Sequence, residues 1–382
     1  MTFRTAKILF VIAMVFAFSS QASASTGVIN NFAFSAARII GQSESTYFFS
    51  PYSIISALGM AYAGASGTTA REMEDALGFS PELHPSIERL MHILAEGGQI
   101  SSANRIWLHI NLKINRDYQY KLLLSYESRA MMLDIQNDPE GSCKTINDWV
   151  NWRTKGRIPS MLNRLDPSTK MVITNAIYFT ADWQKKFDVR ATGPGKFYDG
   201  AKETEVRMMK QEDRFDYAEL ENVKALRLQY KGRKMSMIVL LPPKDNPSAL
   251  EGMNAEKLGQ LLGELRMRKV DVWLPRFRAE DNYQLEDVLK AMGVKQAFTD
   301  DADFSGITVQ EKLKIDAVVH KTFIDVNEAG TEAAAATAVH LVGATAMPQE
   351  EEIAEFHADH PFTYFILDNE TGTILFMGRQ TF

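Results

Sequence analysis

Few residues of this 382-residue chain stand at spacings that support catalysis. Gly64-Ala65-Ser66-Gly67 sets a serine near glycines, but the Gly-x-Ser-x-Gly spacing of a nucleophile elbow is absent. Neither a phosphate loop nor a Gly-x-Gly-x-x-Gly run occurs. His357 and His360, with Asp359, have a spacing a metal accepts. The simpler reading makes them part of a loop-to-strand segment. Cys143 is the single cysteine, so no internal disulfide forms. Without an identifiable activating neighbour it reads as a spectator. These residues imply no enzyme, cofactor or metal.

The chemistry lies instead in the segment Glu328-Ala329-Gly330-Thr331-Glu332-Ala333-Ala334-Ala335-Ala336-Thr337-Ala338-Val339-His340-Leu341-Val342. Propensity reads this as helix, because alanine is the best helix former. A period of two reads it otherwise. The odd positions Thr331, Ala333, Ala335, Thr337, Val339 and Leu341 are small or apolar, while Glu332 and His340 fall on the even face. That pattern suits a strand entering a sheet with one face against a core. So short a stretch leaves both readings open.

The elements around it alternate in kind. Ser53–Ala63 reads as a buried helix ending near Gly64 and Gly67, Thr145–Ile158 as a helix with Ile146, Trp149, Val150 and Arg153 on one face, and Ser248–Leu265 as another. Met171–Phe179 is a nearly continuous apolar run, as a strand covered on both faces requires. Met235–Leu241 and Val270–Phe277 are similar, and Thr363–Leu367 with Thr373–Gly378 reads as a hairpin about Asp368–Gly372. The mixture implies an α+β fold with a large, mostly antiparallel sheet.

Taken in order, several stretches resemble the serpin family across nearly the whole chain. They are Phe49-Ser50-Pro51-Tyr52-Ser53-Ile54, Gly64–Thr69, Asn147-Asp148-Trp149-Val150 with Thr154 and Gly156, Asn175–Phe179 with Trp183, Ala302–Ile307, Ala358–Phe362 and Phe376–Arg379. The most specific is Glu328–Thr337, which is similar to the hinge of inhibitory serpins. It departs from the pattern at Ala329, where a charge is common, and an exposed site would tolerate that departure. The resemblance implies a metastable serpin fold of three β-sheets and eight or nine helices, with an exposed reactive-centre loop at about 328–356. A serine protease would cut the loop and form a covalent acyl complex, and the cut loop would enter the main sheet as an extra strand.

Site residues follow from the same resemblance. The hinge comprises Glu328, Gly330, Thr331, Glu332, Ala333, Ala334, Ala335, Ala336 and Thr337. Gly330 would swing there, and Thr331 would be the first side chain to go in. Ser50, Ser53, Asn175 and His320 match the polar cluster over which the sheet opens. Arg276 and Glu328 match a pair where the loop first enters, expected as a fork, with Trp183 packed beside it. Family spacing from Glu328 puts the reactive bond at Ala344–Thr345. A one-residue slip would give Gly343 or Thr345, and Met347 is a remoter candidate. No Arg or Lys lies between Glu328 and Pro361, so an elastase-like or subtilisin-like protease suits the loop better than a trypsin-like one. Bulky or charged hinges typify non-inhibitory relatives acting as carriers or chaperones; this hinge is small-residue throughout.

The remaining features bound partners and location. The chain is 45% hydrophobic and 24% charged, with no linker-like stretch or fixed-period repeat, and residues 25–382 read as a single domain. Residues 1–24 read as a signal peptide: Arg4 and Lys7, the apolar run Ile8–Phe18, then Ala22-Ser23-Ala24, with cleavage after Ala24. Export to a periplasm or the outside follows, and a bacterial source is suggested. No later segment reads as a membrane span. Loss of Arg4 and Lys7 takes the net charge from −6 to −8, which argues against nucleic acid, and no long basic run resembles a heparin site. A monomer is expected. Glu350, Glu351, Glu352 and Glu355 form an acidic stretch that either is simply solvated or steers a basic-rimmed protease.

Overall fold

The computed structural model describes residues 25–331 and 352–382. The signal-peptide segment 1–24, the hinge residues Glu332, Ala333, Ala334, Ala335, Ala336 and Thr337, and the reactive-bond residues Ala344 and Thr345 lie outside the described residues. Two hydrogen-bonded sheets carry the rest, with eight α-helices among the described residues.

The seven-stranded sheet positions the site. It contains β2 (Ile100–His109), β3 (Met131–Leu133), β4 (Met171–Phe179), β5 (Ala181–Asp182), β11 (Phe277–Gln284), β12 (Ala317–Val326) and β13 (Gly330–Thr331). β4 is buried at every residue, and the alternation of its side chains gives the reason. Met171, Ile173, Ile177 and Phe179 join the main core, whereas Val172 and Ala176 join a second core. That second core lies under α6 (Pro139–Arg153) and takes in Ala103 and Trp107 of β2, Ile146 and Val150 of α6, and Val319 of β12. Asp138 starts α6, its carboxylate accepting from the Gly141 N–H at 2.8 Å, and Pro139 occupies the first turn. The helix expected over 145–158 therefore begins earlier and stops at Arg153.

α2 (Pro51–Tyr62) is buried along its whole length, packed between β16 (Ile374–Gln380) of the other sheet and β2 and β4. That placement explains an apolar pattern with no polar face. Ser50 caps it, its Oγ accepting from the Ser53 N–H at 3.1 Å.

The other sheet has nine strands. Its 18-residue strand β7 (Glu203–Leu220) pairs with β6 (Gly193–Tyr198), β8 (Val223–Gln229) and β10 (Arg266–Pro275). The second and third expected sheets are thus continuous through β7. The expected hairpin is present as β15 (Phe362–Asp368) and β16. Two further expectations change. Ser248–Leu265 divides into a 3-10 turn, Pro247–Leu250, and α7 (Ala255–Gly263), because Asn254 opens a new helix with its side chain on the Lys257 N–H. Val270–Phe277 divides at Arg276 into β10 and β11, which belong to different sheets.

Candidate functional site

β4 and β12 are parallel neighbours over seven paired positions, Ala317↔Val172 to Phe323↔Tyr178. A row of polar side chains crosses this seam. Asn104 of β2 pairs in register with Asn175 of β4, Asn175 with His320 of β12, and His320 with Tyr283 of β11. The Ser50 backbone N–H donates to His320 Nε2 at 3.0 Å, so Nε2 carries no proton. Nδ1 therefore holds it and donates to Asn175 Oδ1 across the seam. Burial drives the imidazole pKa down to about 3, which keeps the ring neutral. Asn175 Nδ2 faces the Ser53 carbonyl at 2.8 Å, Ser53 Oγ at 2.5 Å and Asn104 Oδ1. Ser50 Oγ donates to the Leu375 carbonyl at 2.6 Å. The four residues expected to cluster, Ser50, Ser53, Asn175 and His320, do so, each fully buried.

At the end of the seam the sheet forks. β5 follows β4 after a single residue, yet β12 does not pair with it. β13 lies between them, antiparallel to both, with Thr331 opposite Val326 on one side and Ala181 on the other. Thr331 is completely buried, and its hydroxyl bonds Tyr230 Oη at 2.7 Å. Gly330 owes its place to close approach. A Cβ there would fall 2.1 Å from the Ala181 carbonyl oxygen and 2.7 Å from Asp182 Cα. Trp183 braces the same turn: its backbone N–H donates to the Ala329 carbonyl and its Nε1 to the Asn327 carbonyl, both at 2.9 Å, while its ring stacks on Tyr230 at 4.5 Å.

These observations correct three expectations. The loop is not exposed from 328, because Glu328, Ala329, Gly330 and Thr331 are all buried. Ala329 is accordingly not a tolerant surface site, since a charge there would be enclosed. At the far end, Ala354–His357 form β14, parallel to β10, with His357 stacked on Trp273 at 4.1 Å and bonded to Asp271 at 2.8 Å. Third, Arg276 and Glu328 meet by one long contact, Nε to Oε2 at 3.6 Å, and form no fork; Glu328 Oε1 has no partner among the described residues.

Two participants escaped the sequence reading. Asn104 was detectable, because it is in phase with the core-facing Ile106 and Leu108. Tyr230 was not, because only the fold brings it to the hinge. Cys143 is buried with its Sγ toward the Leu162 carbonyl, and burial pushes the thiol pKa up, away from nucleophilic use.

Comparison with known proteins agrees with this architecture. Residues 28–381 match the family model described as Serpin (serine protease inhibitor). The chain belongs to the serpin family. An uncharacterized serpin-like protein of Thermococcus kodakarensis is 41% identical over 360 residues, covering 92% of this chain and 84% of that one. The leukocyte elastase inhibitor of Equus caballus is 37% identical over 370 residues, covering 91% and 97%. Among solved serpins, human thyroxine-binding globulin superposes with a TM-score of 0.84 at 27% identity, over 94% of this chain and 98% of that one. The family thus contains protease inhibitors and a carrier on one fold.

Proposed function

We propose that this serpin is an irreversible suicide-substrate inhibitor of serine proteases of elastase-like or subtilisin-like specificity. The protease cuts at Ala344–Thr345 and forms an acyl-enzyme, and the freed loop then enters between β4 and β12 as a new strand. The supporting observation is the fork. Val326 and Ala181, which flank Thr331, lie six residues beyond His320 and Asn175, themselves a registered pair. A strand continuing from Thr331 without a bulge therefore sets Ala333 and Ala335 in the seam and brings Thr337 between His320 and Asn175. Its hydroxyl can both donate and accept, so it can satisfy the two groups as they part. One parallel ladder is replaced by two antiparallel ones. The relationship to an elastase inhibitor supports the choice of target class.

The loop serves as bait and spring, and the protein turns over no substrate. We also propose that it is exported after cleavage at Ala24 and acts as a monomer. The direct test is to mix the protein with an elastase-like protease. An SDS-stable complex and a cut at Ala344–Thr345 by mass spectrometry are expected; clean cleavage without a complex would overturn inhibition.

One observation favours a second reading as a small-molecule carrier. A cavity of about 460 Å³ lies beside α1 (residues 25–40), lined by Phe34, Arg38, Tyr47, Leu250, Phe365 and Arg379 among others. Retention of a ligand through purification, with no inhibition, would favour it.

A further inference from the structure

One core-facing position of β11 is charged. Among the described residues β11 pairs with β12 alone, so it is an edge strand. Phe277, Ala279 and Tyr283 turn into the core, and Asp281 stands in phase with them. A carboxylate in that row needs neighbours that bring protons or positive charge. Burial, the first cause, pushes its pKa up to about 6, and the charges that act on it are Glu44 and Glu280, both negative. Glu280 is engaged elsewhere, 3.2 Å from each of Lys321 and Arg278. Tyr283 stands between the other two carboxylates. Its hydroxyl donates to Glu44 Oε2 at 3.2 Å and is also the side-chain hydrogen-bond neighbour of Asp281. A phenol has one proton, so it cannot serve both. The Phe48 backbone N–H of β1 (Tyr47–Phe49) reaches Asp281 as well, yet Oδ2 stays buried without a partner among the described residues. A second phenol is left over at the same place. Tyr364 is wholly buried, its Oη has no partner among the described residues, and Asp281 is the charge that acts on it first. That hydroxyl lies against Gly378, 2.5 Å from where a Cβ would be, and Gly378 is the register partner of Phe48. The orphan phenol and the orphan carboxylate oxygen thus adjoin one stretch of backbone, beside an exposed Glu44.

We propose that Asp281, Glu44, Tyr283 and Tyr364 bind a hard divalent cation of the calcium type. Every donor is an oxygen, and calcium takes carboxylate and neutral oxygens in a flexible geometry, whereas magnesium demands a near-ideal octahedron and keeps its waters. No imidazole or thiol belongs to the set, which disfavours zinc. The two carboxylates match a double positive charge, and the ion would answer the lone pairs that Tyr283 and Tyr364 cannot direct at a carboxylate. Glu44 lies between α1 and β1, Asp281 on the edge strand of the seven-stranded sheet, and Tyr364 on β15 of the nine-stranded one. A bound cation would therefore tie the two sheets together at that edge. The proposal does not depend on inhibition of a protease.

The test is terbium(III) luminescence of the full chain at neutral pH in potassium chloride. Terbium occupies oxygen-lined calcium sites and emits when a tyrosine beside it is excited. Emission is expected, with calcium chloride displacing the terbium and magnesium chloride doing so at least about tenfold less well. Calcium should also raise the thermal midpoint of the wild type, as any ligand of the folded state does. Asp281→Asn, which keeps the shape and removes the charge, should abolish both effects. Glu44→Gln, at an exposed position, should weaken calcium at least about tenfold, and it stands alone if Asp281→Asn fails to fold. Glu251→Gln, exposed elsewhere, should change nothing. No emission that calcium displaces, equal calcium affinity in wild type and Glu44→Gln, or equal displacement by magnesium would overturn the site.

Discussion

Thr331 is the residue on which the account turns, and its environment alters what its substitution should do. Its hydroxyl is already paired with Tyr230 inside the protein. An arginine there would have to be desolvated without a carboxylate, at a cost of several kcal/mol, roughly the cost of burying an unpaired polar group or more. The short β13 would yield before the charge was buried. Thr331→Arg should therefore expel the hinge while β4 and β12 stay paired, leaving a folded protein that a protease cuts as a substrate. Titration to the stoichiometry of inhibition checks this, and unchanged stoichiometry would contradict it. His320 makes a second prediction. Its pKa is about 3 when folded, against an ordinary 6.5, so the unfolded chain binds the proton more readily. The stability it contributes is complete above pH 6.5 and is lost as pH falls toward 3, by about 1.4 kcal/mol per unit at most. Asp281 opposes it: burial raises its carboxyl to about 6, so its contribution is lost as pH rises from 3.8 to 6. The difference between proteins isolates the histidine. In urea titrations at pH 7 and pH 4, wild type should lose more stability than His320→Gln; parallel losses would contradict the assignment.

At the scale of elements, β13 is held by geometry that permits no side chain. Gly330→Ala would press a Cβ onto the β5 backbone at Ala181, and overpacking of this kind costs about 1–3 kcal/mol. The hinge should detach from β5, and Trp183, which bonds the same turn, should report it by a red-shifted emission. An unchanged spectrum and thermal midpoint would count against the wedge. How much of this arrangement was legible follows from how local each cause is. β4 was readable to the residue because both faces pack on cores, so every position is apolar or hydrogen-bonded. The break at Arg276 was less visible, since apolar residues continue on either side and only tertiary pairing separates the strands. The cluster of Ser50, Ser53, Asn175 and His320 was reached through family resemblance. Its third strand partner, Asn104, had a local signal in its phase with Ile106 and Leu108. The burial of Glu328–Thr331 had none. A small-residue stretch has no strong pattern of its own, and its two-residue strand exists because β12 and β5 stand apart to receive it.

For the whole molecule, charge and topology set the behaviour. The protein is acidic overall, and Glu355, exposed on β14, stands at the end of an acidic run that begins at Glu350. If this run steers the target, the association rate should fall several-fold as salt rises from low ionic strength to about 0.1 M, where the screening length is about 10 Å. A flat response in stopped flow would assign the glutamates to solvation alone. The topology makes the larger demand. β4 and β12 share one ladder now and would share a whole strand between them after cleavage, under an α6 whose small core includes side chains from both sides of the seam. The most direct measurement is the thermal midpoint of the protein nicked in its loop, compared with that of the intact protein. Insertion predicts a rise of roughly 10 °C or more, from several kcal/mol of new pairing and burial. A nicked protein that melts at or below the intact midpoint would show that the strand never enters.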